Sequence, residues 1–140
     1  MENQIYPCLW FDGQAQEAAK FYCSVFKNSE ITADNQTVVT FELNGKKFMG
    51  LHGGPEFKFS EAVSFVIDCE AQEEIDYYWE KLSSGGSEGN CGWLKDQFGI
   101  SWQIVPTILP KLLSNPNKTQ NVLKAYMKMK NFNIEKLINA

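Results

Sequence analysis

The chain carries one stretch twice: Asp12-Gly13-Gln14-Ala15-Gln16-Glu17-Ala18-Ala19-Lys20-Phe21-Tyr22 is echoed by Asp68-Cys69-Glu70-Ala71-Gln72-Glu73-Glu74-Ile75-Asp76-Tyr77-Tyr78, 56 residues later. In each copy a short apolar run, 9–11 or 65–67, ends at the aspartate, as a strand leading into a helix would. A repeat of this size has too few residues to bury its apolar face alone. We therefore predict two related units, each built of strands and one helix, that fold as one domain.

The first unit is predicted to run strand, helix and further strands. Residues 4–11 alternate in apolar character as a strand does. Apolar side chains between 15 and 26 then recur at the spacing of an amphipathic helix. Residues 33–36 form a short hairpin turn before the β-forming segment 37–43. Asn44-Gly45 favours a second hairpin turn, because both of its positions take a positive φ.

The second unit repeats this order. Its predicted elements are a strand at 63–67, a helix at 71–82, a Gly/Ser loop at 83–90, a short strand at 91–94, a turn at 96–99 and a strand at 100–105. Asp12 and Asp68 stand at the two strand-to-helix junctions, where helix-capping residues belong. A tail with helical patterning at 119–130 and 133–139 lies outside the repeat and is expected to cover a sheet edge or a partner subunit.

Composition limits the classes of partner. The 140 residues carry a net charge of −4, whereas nucleic acids and anionic membranes select clustered Lys and Arg. No apolar run approaches the roughly 18 residues of a membrane span, and the first residues lack the features of a secretory signal. Cys8, Cys23, Cys69 and Cys91 form no CxxC pair. We expect a cytoplasmic protein with reduced thiols that binds neither nucleic acid nor membrane.

Both halves carry residues of a known family. These are Leu9-Trp10-Phe11-Asp12-Gly13, Gly53-Gly54-Pro55, Ser64-Phe65, Gly92-Trp93-Leu94-Lys95-Asp96 and Ser101-Trp102-Gln103-Ile104-Val105-Pro106. With them the chain resembles, over residues 5–106, the PhnB-like family, sometimes labelled 3-demethylubiquinone 3-methyltransferase. That family belongs to the vicinal-oxygen-chelate superfamily, which includes glyoxalase I, extradiol dioxygenases and bleomycin-resistance proteins.

The resemblance implies an α+β fold in which tandem βαβββ units form a curved mixed-sheet cup, followed by a C-terminal helical tail. One glyoxalase-like domain would span residues 1–140. Its first unit would cover 4–56, its second unit 61–106 and its tail 107–140. The cup would hold the ligand, and the enzymes of the superfamily also hold a divalent metal there.

The metal slots of the superfamily fall on poor ligands in this chain. By the resemblance and the repeat, the four slots are Tyr6, Met49, Ala62 and Gln103. Gln103 alone offers a plausible oxygen ligand, whereas hard divalent cations need several oxygen or imidazole donors. If the register is shifted by two residues, Cys8 and Ser64 replace Tyr6 and Ala62 in the first-strand slots. The four side chains are then still poor metal ligands. We expect no superfamily-type metal and no other cofactor.

The side chains predicted to line the cup either occupy one of the four slots or point to the concave face of their strand. They are Tyr6, Cys8, Trp10, Met49, Ser64, Ser101 and Gln103. Trp10 would stack on a flat ligand or fill the cup itself. Gln103 would bind a ligand or a side chain of the neighbouring strand. His52, the single histidine, lies at a strand end. Trp93 and Trp102 are predicted to be core residues in preference to ligand-binding residues.

Three functions follow from the resemblance. The leading one is binding of an unidentified small molecule, with sequestration of a toxic compound as its first specific form and the catalytic step unassigned. The alternative is a metal-dependent enzyme of the glyoxalase or dioxygenase type. Methyl transfer, as the family label says, ranks third, because no Gly-rich turn follows a strand as in S-adenosylmethionine-binding sheets.

We also expect a homodimer. Each unit covers its strands with one helix, so sheet edges stay open to pairing. The tail also carries apolar residues beyond what a solvated extension needs. These residues are Leu112, Leu113, Val122, Leu123, Tyr126 and Met127.

Overall fold

The computed structural model describes residues 2–140, which divide into two compact units, one ending at Phe59 and the other spanning Ser60–Ala140. The first unit contains β1 (Cys8–Asp12), α1 (Ala15–Val25), β2 (Glu30–Asp34), β3 (Val38–Leu43) and β4 (Lys46–Gly53). The second contains β5 (Ser64–Cys69), α2 (Gln72–Ser83), β6 (Ser87–Glu88), β7 (Trp93–Lys95), β8 (Ser101–Pro106) and then α3 (Leu109–Leu113), α4 (Thr119–Met127) and α5 (Ile134–Ile138). The tandem βαβββ order and the helical tail are confirmed.

Each unit forms its own four-stranded mixed sheet, and the two sheets have the same topology. The strand order is β1-β4-β3-β2 in the first and β5-β8-β7-β6 in the second. In both, the first strand pairs in parallel with the last strand, and the other neighbours are antiparallel. The α+β class predicted from the sequence is confirmed.

The core of the first unit lies between α1 and one face of its sheet. Leu9 and Phe11 of β1 are buried, and so are the alanines and Tyr22 on the inner side of α1. The Tyr22 ring stacks on the Phe41 ring of β3 at 6.3 Å. At Gly50 an added Cβ would lie 3.2 Å from the Ala15 Cβ, so the small residues let the helix approach the sheet closely.

The core of the second unit is built in the same way around α2. Ile75, Trp79 and Leu82 form the buried side of the helix. Leu94 of β7 and Ile104 of β8 are buried at alternate strand positions, as expected for one face of a sheet. The intervening residues of these strands therefore point to the opposite face.

The tail packs against the second unit. Leu109, Val122, Phe132 and Leu137 form a buried cluster. The Gln72 side chain joins the start of α2 to the tail, because it donates to the Phe132 carbonyl at 2.8 Å and accepts from the Ile134 amide at 2.8 Å.

This packing corrects one argument for a homodimer. Val122 is fully buried in the chain, and Leu112, Leu113 and Tyr126 pack against the same cluster. Leu123 and Met127 are the members of the predicted apolar set that stay exposed, at 36% and 70%. Most of the apolar tail surface is therefore covered within the subunit, and the homodimer itself stays a prediction.

Several predicted boundaries were wrong. The first strand begins at Cys8, four residues later than predicted, and the predicted loop at 83–90 contains β6. The next strand begins at Trp93 in place of Cys91, because Cys91 has a positive φ of 58° that interrupts an extended chain. The helix predicted to reach Lys130 ends at Met127.

The aspartates at the junctions do not cap the helices. Asp12 is paired with Gly53 inside the β1–β4 ladder, and Asp68 is paired with Val105. The N-terminal residue flanking α1 is Gln14, which makes no capping hydrogen bond with its side chain. At α2 the Glu74 carboxylate accepts from the backbone amides of residues 70 and 71 at 3.2 and 3.1 Å. The strands simply continue through the positions that were assigned to caps.

Candidate functional site

Each sheet has a second face that its own helix leaves uncovered. We call these the face opposite α1 and the face opposite α2. The face opposite α1 presents Cys8, Trp10, Val38, Thr40, Met49 and Leu51, and the face opposite α2 presents Ser64, Val66, Trp93, Lys95, Ser101 and Gln103. All of the predicted ligand-binding residues except Tyr6 lie on these two faces.

The face opposite α2 holds a cavity of about 250 Å³. Its walls include Glu61, Ser87, Gly89, Trp93, Lys95 and Ser101. Pairing across the sheet explains why they meet: Ser101 lies beside Lys95 of β7 on one side and beside Ser64 of β5 on the other. One predicted site residue, Ser101, is therefore part of a formed cavity.

The hydroxyl of Ser101 is the unusual group of this cavity. Its side chain is 2% exposed, and its oxygen has no hydrogen-bond partner among residues 2–140. A buried hydroxyl without a partner destabilises a fold by about 1–3 kcal/mol, so such groups are uncommon. Ser101 is therefore the candidate polar group of this cavity.

The amide of Gln103 is held by its own sheet. Its Nε2 donates to the Ser64 hydroxyl at 2.9 Å. This bond is the predicted contact of Gln103 with a side chain of a neighbouring strand, and its contact with a ligand stays a prediction. Val66 lies directly beside Gln103 in the parallel ladder and is 56% exposed.

An ion pair that was not predicted from the sequence lies in the cavity wall. The Lys95 ammonium binds the Glu61 carboxylate, and the two side chains are 45% and 58% exposed. The hydrogen bond from Lys95 is the largest cause that lowers the pKa of Glu61 below its usual value. Strand parity could have indicated Lys95, which is two residues from Trp93. Glu61 lies in a loop, where no periodicity places a side chain.

On the face opposite α1, Trp10 packs on its own unit. Its indole Nε1 donates to the Gly54 carbonyl at 2.8 Å, and its ring meets the Phe57 ring edge-on at 4.9 Å. At Gly53 an added Cβ would lie 2.1 Å from the indole, so the ring lies directly on the backbone. These contacts show that Trp10 packs on its own unit, and its stacking on a ligand stays a prediction.

The other predicted residues of the first unit are scattered. Tyr6 precedes β1, and the Lys47 ammonium lies 4.1 Å from the centre of its ring. Cys8 and Met49 are direct neighbours in the parallel ladder, and Cys8 is exposed. His52 pairs with Phe11 near the end of β4.

A larger cavity, of about 440 Å³, lies where the start of α2 meets the tail. Its walls include Glu70, Gln72, Glu73, Asn133 and Glu135. Gln72 is engaged by the tail backbone, and none of these walls contributes a buried polar atom without a partner among residues 2–140. We therefore take the cavity beside Ser101 as the candidate site.

Comparison with known proteins identifies the family. Residues 3–105 match a family model described as 3-demethylubiquinone-9 3-methyltransferase. A putative protein of that description, the PhnB protein from Bacillus cereus, is 33% identical, with a TM-score of 0.68 over 75% of this chain and 100% of that one. The chain belongs to the PhnB-like family.

More distant solved structures share the fold. Protein PA1353 from Pseudomonas aeruginosa is 18% identical, with a TM-score of 0.61 over 75% of this chain and 98% of that one. The fosfomycin resistance protein FosX from Listeria monocytogenes, solved with Mn(II) and sulfate, is 14% identical, with a TM-score of 0.58 over 80% and 96%. Among curated proteins, none matches. The fold is that of the vicinal-oxygen-chelate superfamily.

The residues of this PhnB-like chain do not fit the metal that its superfamily implies. In the first unit the register brings together Cys8 and Met49, two sulfur side chains. In the second, Gln103 is bonded to Ser64, and Ala62 lies before β5 and offers no donor. Over residues 2–140, no group of three or more His, Cys, Asp and Glu side chains could hold a metal ion. Hard cations require several oxygen or imidazole ligands. The absence of metal from the purified protein stays a prediction.

The helices of the described chain are too short or too polar to cross a membrane.

Proposed function

We propose that this PhnB-like protein binds a small molecule in the cavity on the face opposite α2. The observation that carries the proposal is the buried Ser101 hydroxyl, which lines the cavity and lacks a partner within the described chain. A ligand that hydrogen-bonds this hydroxyl would remove the penalty of an unpaired buried group.

Trp93 supplies the apolar part of the same cavity. Its backbone is fixed, because its carbonyl accepts from the Gly89 amide at 2.8 Å and its amide donates to the Asn90 carbonyl at 3.1 Å. A rigid aromatic wall beside a few placed polar groups is the usual composition of a small-molecule site. Binding without turnover, as in sequestration of a compound, is the form of activity that these residues support.

A ligand screen tests this proposal. Thermal shift and ligand-observed NMR would be measured with single-ring compounds of negative, zero and positive charge. We expect at least one to bind saturably, and Ser101→Ala to weaken it by about tenfold, the value of one hydrogen bond of about 1.4 kcal/mol. Ser24→Ala is the matched control, because that hydroxyl donates to the Phe21 carbonyl on α1.

Two further measurements test the alternative functions, a metal-dependent enzyme and a methyltransferase. Transition metal near one equivalent per chain, retained after dialysis and lost in Gln103→Ala, would favour the metal-dependent enzyme. Saturable binding of S-adenosylmethionine would favour the methyltransferase of the family description. If no compound of any charge binds and neither result appears, the proposed function is wrong.

A homodimer in the cytoplasm is part of the same proposal. Leu123 and Met127 on α4 and Ile138 on α5 remain exposed. A stable pairing would bury more than about 1,000 Å² in total. Light scattering at tens of micromolar should give twice the 16.0 kDa of the chain, and a monomer at that concentration would contradict the dimer.

A further inference from the structure

We propose that the cavity beside Ser101 takes an aromatic ligand with one anionic group, a carboxylate or a phosphate, and that Lys95 leaves Glu61 to bind it. This inference rests on the proposed function and deepens it. It follows from how Lys95 and Glu61 are attached to the fold, and from the chemistry of Ser101 and Trp93.

Lys95 is fixed beside the cavity at its base, whereas Glu61 is not. Lys95 belongs to β7 and pairs directly with Ser101 of β8. Glu61 lies in a turn between Phe59 and the start of β5 and takes no part in the sheet ladder. When the pair opens, the Lys95 stem therefore stays beside Ser101, while the Glu61 carboxylate turns into solvent. The charge that remains at the cavity is positive.

Opening this pair requires little free energy. Both side chains are about half exposed, and exposed ion pairs contribute little to stability because water solvates the separated charges well. An incoming carboxylate or phosphate replaces the Glu61 carboxylate on the same ammonium. It also gains a hydrogen bond that Glu61 does not make, from the unpaired Ser101 hydroxyl. Hydrogen bonds to a charged acceptor are about twice as strong as neutral ones.

Size and shape favour a ligand with a single ring. The cavity volume of about 250 Å³ falls just below the roughly 300–1,000 Å³ of drug-sized ligand sites. Trp93 belongs to the cavity lining and lies on the same face as Lys95 and Gln103, and aromatic rings favour offset or edge contacts with an indole. A planar ring against Trp93, with its anionic group between Lys95 and Ser101, satisfies the three side chains together.

The test uses four probes that separate charge from shape. Benzoate, benzamide and benzamidine have the same outline and carry negative, zero and positive charge, and phenyl phosphate is the second anion. Calorimetry on the whole chain should show benzoate, phenyl phosphate or both binding at least about tenfold more tightly than benzamide, as expected for one charged hydrogen bond. Benzamidine should not bind measurably.

Variants of the two charged residues should act in opposite directions. Lys95→Gln should weaken the anionic probe by about tenfold or more, because its cation is lost. Glu61→Gln should tighten it several-fold, because no carboxylate then competes for Lys95. Lys81→Gln, which removes a lysine from the last turn of α2, is the matched control for net charge and should leave the affinity unchanged.

The possible results separate a failure of the proposed function from a failure of this inference alone. If no probe and no compound of the wider screen binds, the proposed function fails and this inference fails with it. If benzamide or benzamidine binds as tightly as the anions, or if Glu61→Gln weakens binding, the cavity binds ligands but not through Lys95, and only this inference is overturned. If phenyl phosphate binds and benzoate does not, the anion is a phosphate ester and the inference stands.

Discussion

The two units share one topology and differ in what their uncovered faces do. On the face opposite α1, Trp10 lies on the backbone at Gly53, and its indole nitrogen is hydrogen-bonded to Gly54. On the face opposite α2, the residue 56 positions later is Val66, a smaller side chain that remains 56% exposed. On the first face the aromatic ring packs on its own unit, whereas the second face has a cavity lined by Ser101, whose hydroxyl has no partner in the described chain. The two copies of the repeat therefore keep the same sheet topology while the side chains on their uncovered faces differ in size and packing.

The largest expected difference between the units is in thiol reactivity. Cys8 is exposed on the first unit, whereas Cys69 is 1% exposed in the second. Burial, with smaller effects from Glu74 and Asp68, raises the pKa of Cys69 from 9.0 to about 11. Because the thiolate is the reactive form and burial both covers the Cys69 sulfur and raises its pKa, a chain that keeps Cys69 alone should react with Ellman's reagent at pH 8 at least about tenfold more slowly than one that keeps Cys8 alone. Equal rates would contradict the burial of Cys69.

The same thiol makes stability depend on alkaline pH. The folded state holds the Cys69 proton more tightly than the unfolded chain does, since the folded pKa is the higher one. Its contribution to stability is therefore complete below about pH 9 and is lost as the pH rises through about 11. Cys69→Ala should remove this part of the alkaline decline in urea unfolding, and Cys8→Ala should not.

The next largest effect concerns the turns before the last strand of each unit. In the second unit the Asp96 carboxylate is 3% exposed. It accepts from the amides of Phe98 and Ile100 at 2.9 and 3.1 Å and from the Trp102 indole at 2.8 Å. Asp96→Ala should lower the free energy of unfolding by about 3 kcal/mol or more, because it leaves buried donors unpaired.

The corresponding turn of the first unit begins at Asn44, which directly follows β3 as Asp96 directly follows β7, and Asn44 has a φ of 52°. Asn44→Ala should lower stability by about 1 kcal/mol, since alanine disfavours the left-handed region. Urea denaturation measures both variants. A loss of stability in Asn44→Ala as large as that in Asp96→Ala would contradict this difference between the two turns.

A smaller effect tests whether Trp10 is packed on its own unit. An added Cβ at Gly53 would lie 2.1 Å from the indole, whereas one at Gly54 would meet the flexible end of Glu56 at 2.6 Å. Gly53→Ala should therefore destabilise the protein by about 1–3 kcal/mol through overpacking. Gly54→Ala is the control and should cost less, because the Glu56 side chain can move aside. Equal losses in thermal unfolding would count against the packed position of Trp10.

The smallest effect separates two serines that are direct neighbours in the β5–β8 ladder. Ser64 accepts from Gln103 Nε2, so Ser64→Ala should lower the free energy of unfolding by about 1 kcal/mol. The Ser101 hydroxyl has no partner in the described chain, so Ser101→Ala should leave stability unchanged or raise it by up to about 1 kcal/mol. A loss at Ser101 equal to that at Ser64 would mean that its hydroxyl is already satisfied without a ligand.

The sequence determined the fold because periodicity and repetition are local signals. The alternation around Leu9 and Phe11, the helical stripe that follows and the 56-residue echo predicted two related units, each built of strands and one helix. The βαβββ order within each unit followed from the family resemblance. Local patterns were less reliable at element ends, where Asp12 and Asp68 continue the strands in place of capping the helices. Pairing across a ladder, which fixes those ends, depends on residues about 40 positions away.

The candidate site was only partly determined by sequence. Strand parity placed Ser101 and Gln103 on one face, and the structure confirms that placement. Only the tertiary structure decided that Gln103 is bonded to Ser64, that the Trp10 indole is bonded to Gly54 and that Glu61 meets Lys95 from a loop. The physical reason is that strand period fixes the direction of a side chain, whereas its partner is set by register and by loops, which carry no periodic signal.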